Sequence, residues 1–238
     1  MVYIIDTETT GLDQDKEIVE ITINDYTELI KPSKDISLEA LAVHHISKSK
    51  LKYAKPLINS YALTLLKKAD KSTNYIVGHN INFDFESLKN SGFTFKKAKI
   101  IDTLTSVKHL FPDLKQHKLS YLIYALNLHK TTEFKARYGH QTVALHSSKE
   151  DVFITKLLFR FLKKHVGTIT QLLTLSDTPI IVKVLKFGKY KDQNICDIAT
   201  TNKNYLNWVL QNVLTLDENT KSAIKTCLET STKSESES

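Results

Sequence analysis

An apolar run, Val2-Tyr3-Ile4-Ile5, passes straight into two carboxylates one residue apart, Asp6 and Glu8, and then into Thr9-Thr10-Gly11. In an extended strand alternate residues share a face, so Asp6 and Glu8 point one way and Thr7 the other. Two carboxylates side by side at the end of a strand repel each other and desolvate poorly without a cation. A hard divalent ion with oxygen ligands, Mg²⁺ or Mn²⁺, resolves that conflict. The fold has to leave this strand end open to a site and bring further oxygen ligands to it.

Two distant segments are suited to supply them. Asn80-Ile81-Asn82-Phe83-Asp84 places Asp84 near a strand-to-helix transition, and His146 is followed five positions on by Asp151. Residues 147–164 predict an amphipathic helix, because Val152, Phe153, Leu157, Leu158, Phe161 and Leu162 recur at helical spacing. Its start, Ser147-Ser148-Lys149-Glu150, has the capping-box pattern, with Ser147 as N-cap and Glu150 at N3. His146 then falls on the loop and Asp151 in the first helical turn. Asp6, Glu8, Asp84 and Asp151 are expected to form one carboxylate cage for two divalent metals, with His146 at its mouth. The D-x-E pair alone is a weak signal, since acidic strand ends are common in surface turns. The complete set carries the reading.

Elsewhere strands are expected at 2–6, 17–23 and 27–31 as an antiparallel meander with Gly11 in its first turn. Helices follow at 38–44 and 57–68, a strand at 75–78, a helix at 82–90 stopped by Gly92, and a strand at 99–102. Asp102 is expected to cap a helix at 103–110, with another at 119–126. Strand and helix segments alternate after the meander, which predicts an α/β fold with a mixed sheet. The first domain is expected to span 1–166. A polar-flanked linker follows at 167–178, ending at Pro179. A small α+β module at 179–230 carries β segments at 180–187 and 195–199 and a helix at 205–213, and the Ser/Glu/Lys tail 231–238 is expected to be disordered.

The 238 residues are 41% hydrophobic and 25% charged, as in a soluble globular protein. The net charge of +7 is compatible with a nucleic-acid partner. No apolar run is long enough to predict a membrane span, and the early acidic pair argues against a signal peptide. Cys196 and Cys227 fit no metal-ligand pattern and are expected to be free thiols in a reducing cytoplasm.

The full set of motifs resembles the histidine-containing branch of the DEDD exonuclease superfamily. Asp6 and Glu8 match its first motif, Asp84 the second, and His146 with Asp151 the third. The tyrosine branch requires Tyr four residues before the last Asp, where this chain has Ser147. Ala40-Leu41-Ala42-Val43-His44-His45-Ile46 looks like the family's helix that contacts the terminal nucleotide. Phe187-Gly188-Lys189-Tyr190-Lys191, Asp197-Ile198-Ala199 and Tyr205-Leu206 with Trp208 resemble the small module of exonuclease X-like proteins.

The resemblance implies a ribonuclease H-like five-stranded mixed sheet flanked by helices. It implies two Mg²⁺ or Mn²⁺ ions and removal of nucleotides one at a time from DNA 3′ ends, single- or double-stranded, with release of 5′-monophosphates. His146 would take the proton of the attacking water. Thr9, Thr10, Gly11 and Leu12 would lie against the terminal sugar and base, and His44 near the terminal phosphate. Asn80 is expected to brace the Asp84 turn more than to touch substrate. Proofreading with a polymerase, RNA 3′-end trimming, and a non-catalytic nucleic-acid-binding role stay open as alternatives. Phe187, Tyr190 and Trp208 are read first as the core of the small module, and Lys183, Lys186, Lys189 and Lys191 as a DNA-tethering surface.

Overall fold

The structure, a computed structural model, describes residues 1–139, 147–213, 216 and 218–236. Strand β1 (Val2–Thr9) pairs antiparallel with β2 (Ile18–Ile23), which turns through Asn24-Asp25 into β3 (Tyr26–Leu29). Helices α1 (Leu38–His44) and α2 (Tyr61–Ala69) follow. Strand β4 (Tyr75–Gly78) then returns parallel to β1, α3 (Ile81–Asn90) crosses over, and β5 (Lys99–Asp102) lies parallel to β4. The sheet order is β3-β2-β1-β4-β5, the mixed five-stranded arrangement expected. Helices α4 (Thr103–Leu110), α5 (Leu119–Ala125), α6 (Thr132–Tyr138), α7 (Ser148–Val166) and α8 (Ile169–Asp177) complete a first compact unit, Met1–Thr178.

Strand β1 is buried on both sides, which is why its sequence is a continuous apolar run rather than an alternating one. Tyr3 and Ile5 face one core with Ile21, Leu66 of α2, Ile76 and Leu88 of α3. Ile4 faces the other, with Val77, Ile101, Val107 of α4, Leu158 of α7 and Leu172 of α8. This alternation sets the site: Asp6 and Glu8 continue the Ile4 face toward α7, and Thr7 continues the Ile5 face toward α3.

Several expectations are corrected. Strand β1 runs to Thr9, so both carboxylates lie within it, and Glu8 sits opposite Glu20 just before a register irregularity between Glu8 and Thr9. The helix expected at 57–68 is broken into a 3₁₀ turn, Leu57–Asn59, and α2. Ser60 restarts it by accepting a hydrogen bond from the Leu63 N–H. Helix α6 was not expected; Thr131 caps it and Phe134 and Tyr138 bury its apolar side. The supposed linker 167–178 is largely α8. Thr168 and Gln171 form a reciprocal capping box at its start, and Leu172 joins the first unit's core. Asp102 caps α4 as expected.

The second unit, Pro179–Ser238, holds α9 (Ile195–Thr201), α10 (Lys203–Asn212) and α11 (Glu218–Ser236). The β segments expected there reduce, among the described residues, to one isolated bridge between Val184 and Asn194. Asn194 caps a helix where a strand was expected, and Ile195, Ile198 and Ala199 bury one side of it. The tail expected to be disordered from 231 continues α11 to Ser236. Cys196 and Cys227 are not free thiols: they form a disulfide between α9 and α11, with Cα atoms 4.8 Å apart. Phe187 and Tyr190 pack on the module core, but Trp208 is more than half exposed. No helix among the described residues is long and apolar enough to cross a membrane.

Candidate active site

At the end of β1, Asp6 and Glu8 meet Asp151, which the first turn of α7 delivers from the same side of the sheet. One carboxylate oxygen from each of the three lies within 4.8 Å of the others. Asp84 arrives from the opposite face. It sits buried in the first turn of α3, and its Oδ1 accepts a 2.7 Å hydrogen bond from Thr7 Oγ1. Thr7 is the residue between the two strand carboxylates, so a single strand presents ligands on one face and tethers the fourth carboxylate from the other. Of the neighbouring charges acting on Asp6, that of Asp84 is the strongest.

The electrostatics show what such a cluster lacks. Burial, then the charges of Asp84, Asp151, Glu8 and Glu20, hold the Asp6 carboxyl well above the usual carboxylate range. Burial and the charges of Asp151, Glu20 and Asp84 push Glu8 up to about 8. Burial raises Asp84 to about 7 against the opposing hydrogen bond from Thr7, and burial with the Glu150 charge raises Asp151 to about 6. Carboxylates crowded and desolvated to this degree resist ionising together unless positive charge joins them. The donor set is all hard oxygen, which fits Mg²⁺ or Mn²⁺ and disfavours softer metals.

Helix α7 is seated by contacts outside the expected set. Ser147 Oγ accepts from the Glu150 N–H, as the capping pattern predicts, but the Glu150 carboxylate does not reciprocate. It binds Arg137 through Nε at 3.1 Å and Nη2 at 2.6 Å, and the Tyr138 hydroxyl as well, tying α6 to the start of α7. The next residue, Ser148, is fully buried. Its Oγ donates to Glu20 Oε1 at 2.8 Å and lies 2.6 Å from Thr22 Oγ1, and its N–H donates to Glu20 Oε1 at 3.2 Å. Thr7, Glu20 and Ser148 were therefore missed as site residues. Glu20 had a signal: an acidic residue set inside Ile18-Val19-x-Ile21 needs a partner.

The turn after β1 is more self-contained than expected. Thr9 Oγ1 donates to the Gly11 carbonyl at 2.7 Å, and Thr10 Oγ1 accepts from the Glu17 N–H at 3.0 Å. Gly11 is not in a left-handed conformation, and a Cβ there would meet only ordinary contacts, the nearest at 3.6 Å. Leu12 is 84% exposed at the rim. His44 is buried with both nitrogens committed: Nδ1 accepts from the Ile46 N–H at 2.9 Å, and Nε2 lies 3.1 Å from the Thr9 carbonyl. Its pKa is lowered by burial, so a neutral His44 braces the turn instead of offering charge to a phosphate. Asn80 adopts a left-handed backbone, and its N–H donates to Asp102 Oδ1 at 2.8 Å. That contact, made by the backbone, braces the approach to α3. His146 lies outside the described residues.

A cavity of about 530 Å³ opens beside the cluster. Asp6 and Asp151 line it together with Lys108, His117, Lys118 and Ser120.

A mixed five-stranded sheet with clustered carboxylates at the end of its first strand defines a metal-dependent nuclease of ribonuclease H-like fold. Residues 3–159 match the Exonuclease family and residues 185–213 the Exodeoxyribonuclease X-like C-terminal family. The chain belongs to the exonuclease family. Exodeoxyribonuclease 10 of Escherichia coli strain K12 is 26% identical over 239 residues, covering 96% of this chain and 99% of the relative. The DNA polymerase III subunit epsilon of Rickettsia prowazekii is 36% identical over 129 residues, 46% of this chain and 55% of that one. Among solved structures, exonuclease X in complex with 5′ overhanging duplex DNA has a TM-score of 0.58 at 22% identity, covering 74% of this chain and 99% of that one. Exonuclease I of E. coli with a dT13 oligonucleotide has a TM-score of 0.53 at 14% identity, over 70% of this chain and 41% of that one. These two likenesses concern the fold.

Proposed function

We propose that this protein is a 3′–5′ exodeoxyribonuclease acting in DNA repair, with Asp6, Glu8, Asp84 and Asp151 as ligands of two Mg²⁺ or Mn²⁺ ions and His146 as general base. The observation that carries the reading is the half-buried cluster of Asp6, Glu8 and Asp151 with the buried Asp84 tethered beside it through Thr7. When bound, divalent ions supply Lewis acidity toward the scissile phosphate and lower the pKa of the attacking water. The carboxylates supply the negative charge that holds them, and α7 fixes Asp151 in register with β1. His146 accepts the water's proton, a role typically worth about 10²–10⁴ in rate. Leu12 and the backbone of Thr9, Thr10 and Gly11 face the terminal nucleoside, and neutral His44 and Asn80 hold the flanking turns.

The DNA reading is favoured over polymerase proofreading and RNA trimming because similarity to Exodeoxyribonuclease 10 covers 96% of the chain and so reaches both units, whereas the epsilon match covers 46% of it. A cytoplasmic location belongs to the same reading and rests on the DNA substrate, no longer on the cysteines, which are paired. The test is digestion of 3′-labelled and 5′-labelled DNA and RNA oligonucleotides with Mg²⁺, with Asp6→Ala alongside. Immediate release of the 3′ label as mononucleotide and a 5′-labelled DNA ladder, both absent in Asp6→Ala, are expected. Efficient shortening of RNA alone would move the substrate, and binding without cleavage would make this a non-catalytic binding protein.

A further inference from the structure

We propose that the cavity beside the carboxylate cluster is a subsite for the phosphodiester immediately 5′ of the scissile one, with Lys108 and Lys118 as its cations. The proposal rests on the exonuclease reading and adds where the retained strand runs. Two sides of the β1 end are distinct. The Thr9–Leu12 turn belongs to the β2 side: the Thr10 N–H donates to the Glu17 carbonyl at 2.8 Å, and the Ser37 N–H to the Thr10 carbonyl at 2.8 Å. The cavity belongs to the β4–β5 side, between the residues that follow β4 and helices α4 and α5. A strand whose terminal nucleoside sits against the Leu12 turn, with its scissile phosphate at Asp6 and Asp151, continues into the cavity.

The chemistry of the lining suits a phosphate. Lys108 and Lys118 belong to it with Ser120 and His117, and among the described residues neither lysine forms an ion pair. The acidic residues of the lining are Asp6 and Asp151. A strand phosphate placed near those carboxylates needs countercharge beyond that of metals, and two lysines supply it.

The wall is also built to hold its shape. His79 Nε2 lies 2.8 Å from the His117 carbonyl, and Nδ1 3.0 Å from Thr103 Oγ1, which donates to the Gly78 carbonyl at 2.9 Å. His117 Nε2 lies 3.0 Å from the Phe111 carbonyl. A carbonyl oxygen only accepts, so His79 Nε2 donates to His117. This chain fixes the backbone at His117, next to Lys118, to the end of β4. Nothing in the carboxylate cluster requires such a brace. A phosphate subsite does, because a lysine on a loose loop loses much of its binding free energy to ordering.

The experiment compares Lys108→Ala, Lys118→Ala and Lys118→Arg with the parent. One substrate is a single-stranded DNA oligonucleotide. The other is the p-nitrophenyl ester of thymidine 5′-monophosphate, which has a scissile phosphate and nothing upstream. KM for the oligonucleotide is expected to rise about tenfold in each Ala variant, and the slope of log affinity against log salt to fall by about 0.7 per lysine. Turnover of the ester is expected to stay at the parental value, and Lys118→Arg to recover oligonucleotide KM. Unchanged KM and salt slope in both Ala variants would overturn the subsite, and so would equal losses on both substrates, which would mean structural damage. Equilibrium binding of the oligonucleotide reads the same slopes without turnover. A parent that binds DNA but cleaves neither substrate would therefore count against the enzyme reading and leave the subsite result standing.

Discussion

Glu20 and Ser148 are joined twice, with one carboxylate oxygen accepting both the backbone N–H and the hydroxyl of the serine. The contact crosses 128 residues and seats the N-terminus of α7 against β2, three residues before Asp151. A carboxylate at a helix N-terminus is favourable on its own account, and here it also sets where a site carboxylate stands. Ser148→Ala removes a buried donor that also faces Thr22. The expected cost is about 1–3 kcal/mol of stability, together with a higher Mg²⁺ concentration for half-maximal nuclease activity. Urea denaturation and a Mg²⁺ titration read the two effects separately. A loss of stability with an unchanged Mg²⁺ requirement would show that the contact holds the helix but not the site.

The Thr7–Asp84 hydrogen bond opposes the rise that burial imposes on Asp84. Thr7→Val keeps the shape and removes the donor. Hydrogen bonds to charged groups contribute about 1.5–3 kcal/mol, so turnover at fixed Mg²⁺ and neutral pH should fall by at least about tenfold. The pH at which activity reaches half its plateau should move upward, because the Asp84 carboxyl ionises later. A pH–rate profile with the same midpoint as the parent would remove this role from Thr7.

Raised carboxyl pKa values also make a statement about stability. Unfolded Asp and Glu titrate near about 4. In the folded, metal-free protein the corresponding values are about 6 for Asp151, about 7 for Asp84 and about 8 for Glu8. Between the two ranges the folded state binds more protons than the unfolded state, so stability falls as pH rises. The metal-free protein is expected to lose thermal stability from about pH 4, where the unfolded carboxyls ionise, to about pH 8. Mg²⁺ should restore it, with a larger gain in Tm at pH 8 than at pH 6. Asp6→Asn should remove nuclease activity and raise the metal-free Tm at pH 8. A flat metal-free Tm across this range would show that the cluster is better solvated than its burial indicates.

Much of this arrangement was legible because strand and helix periodicity act locally. The run from Val2 through Glu8 fixed which side chains share a face, and the Ser147 cap placed Asp151 in the first turn of α7. The expected cage grouped four carboxylates without assigning them to faces of the sheet, whereas Asp84 comes from the other face and is held by Thr7. Nothing local distinguishes Thr7 from any strand threonine; its role exists only once α3 packs across β1. Glu150 shows the reverse failure. Its position completes a capping pattern, but Arg137 offers a bidentate ion pair, and a charge-assisted fork is stronger than a bond to one backbone N–H. In the second unit, short apolar segments of 7–10 residues fit strand and helix alike. Burial on one side of α9 decides for helix where the sequence suggested strand.

The Cys196–Cys227 bond joins α9 to α11 in a unit whose core rests on a few residues, among them Ile195, Ile198, Leu206 and Ile224. A small core gains most from a covalent tie. Closing a loop with a sequence separation of 31 residues restricts the unfolded chain by about 3–4 kcal/mol in the chain-entropy account. Changing both cysteines to serine is therefore expected to lower the unfolding midpoint of residues 179–238 and leave that of the first unit near the parental value. Dithiothreitol should shift the parent the same way and leave the serine variant unmoved. The candidate ligands Asp6, Glu8, Asp84 and Asp151 all lie in the first unit, so hydrolysis of a single-nucleotide ester should survive the change. Limited proteolysis followed by mass spectrometry identifies which unit opens. Equal resistance of oxidised and reduced protein throughout residues 179–238 would show that helix packing alone holds α9 against α11.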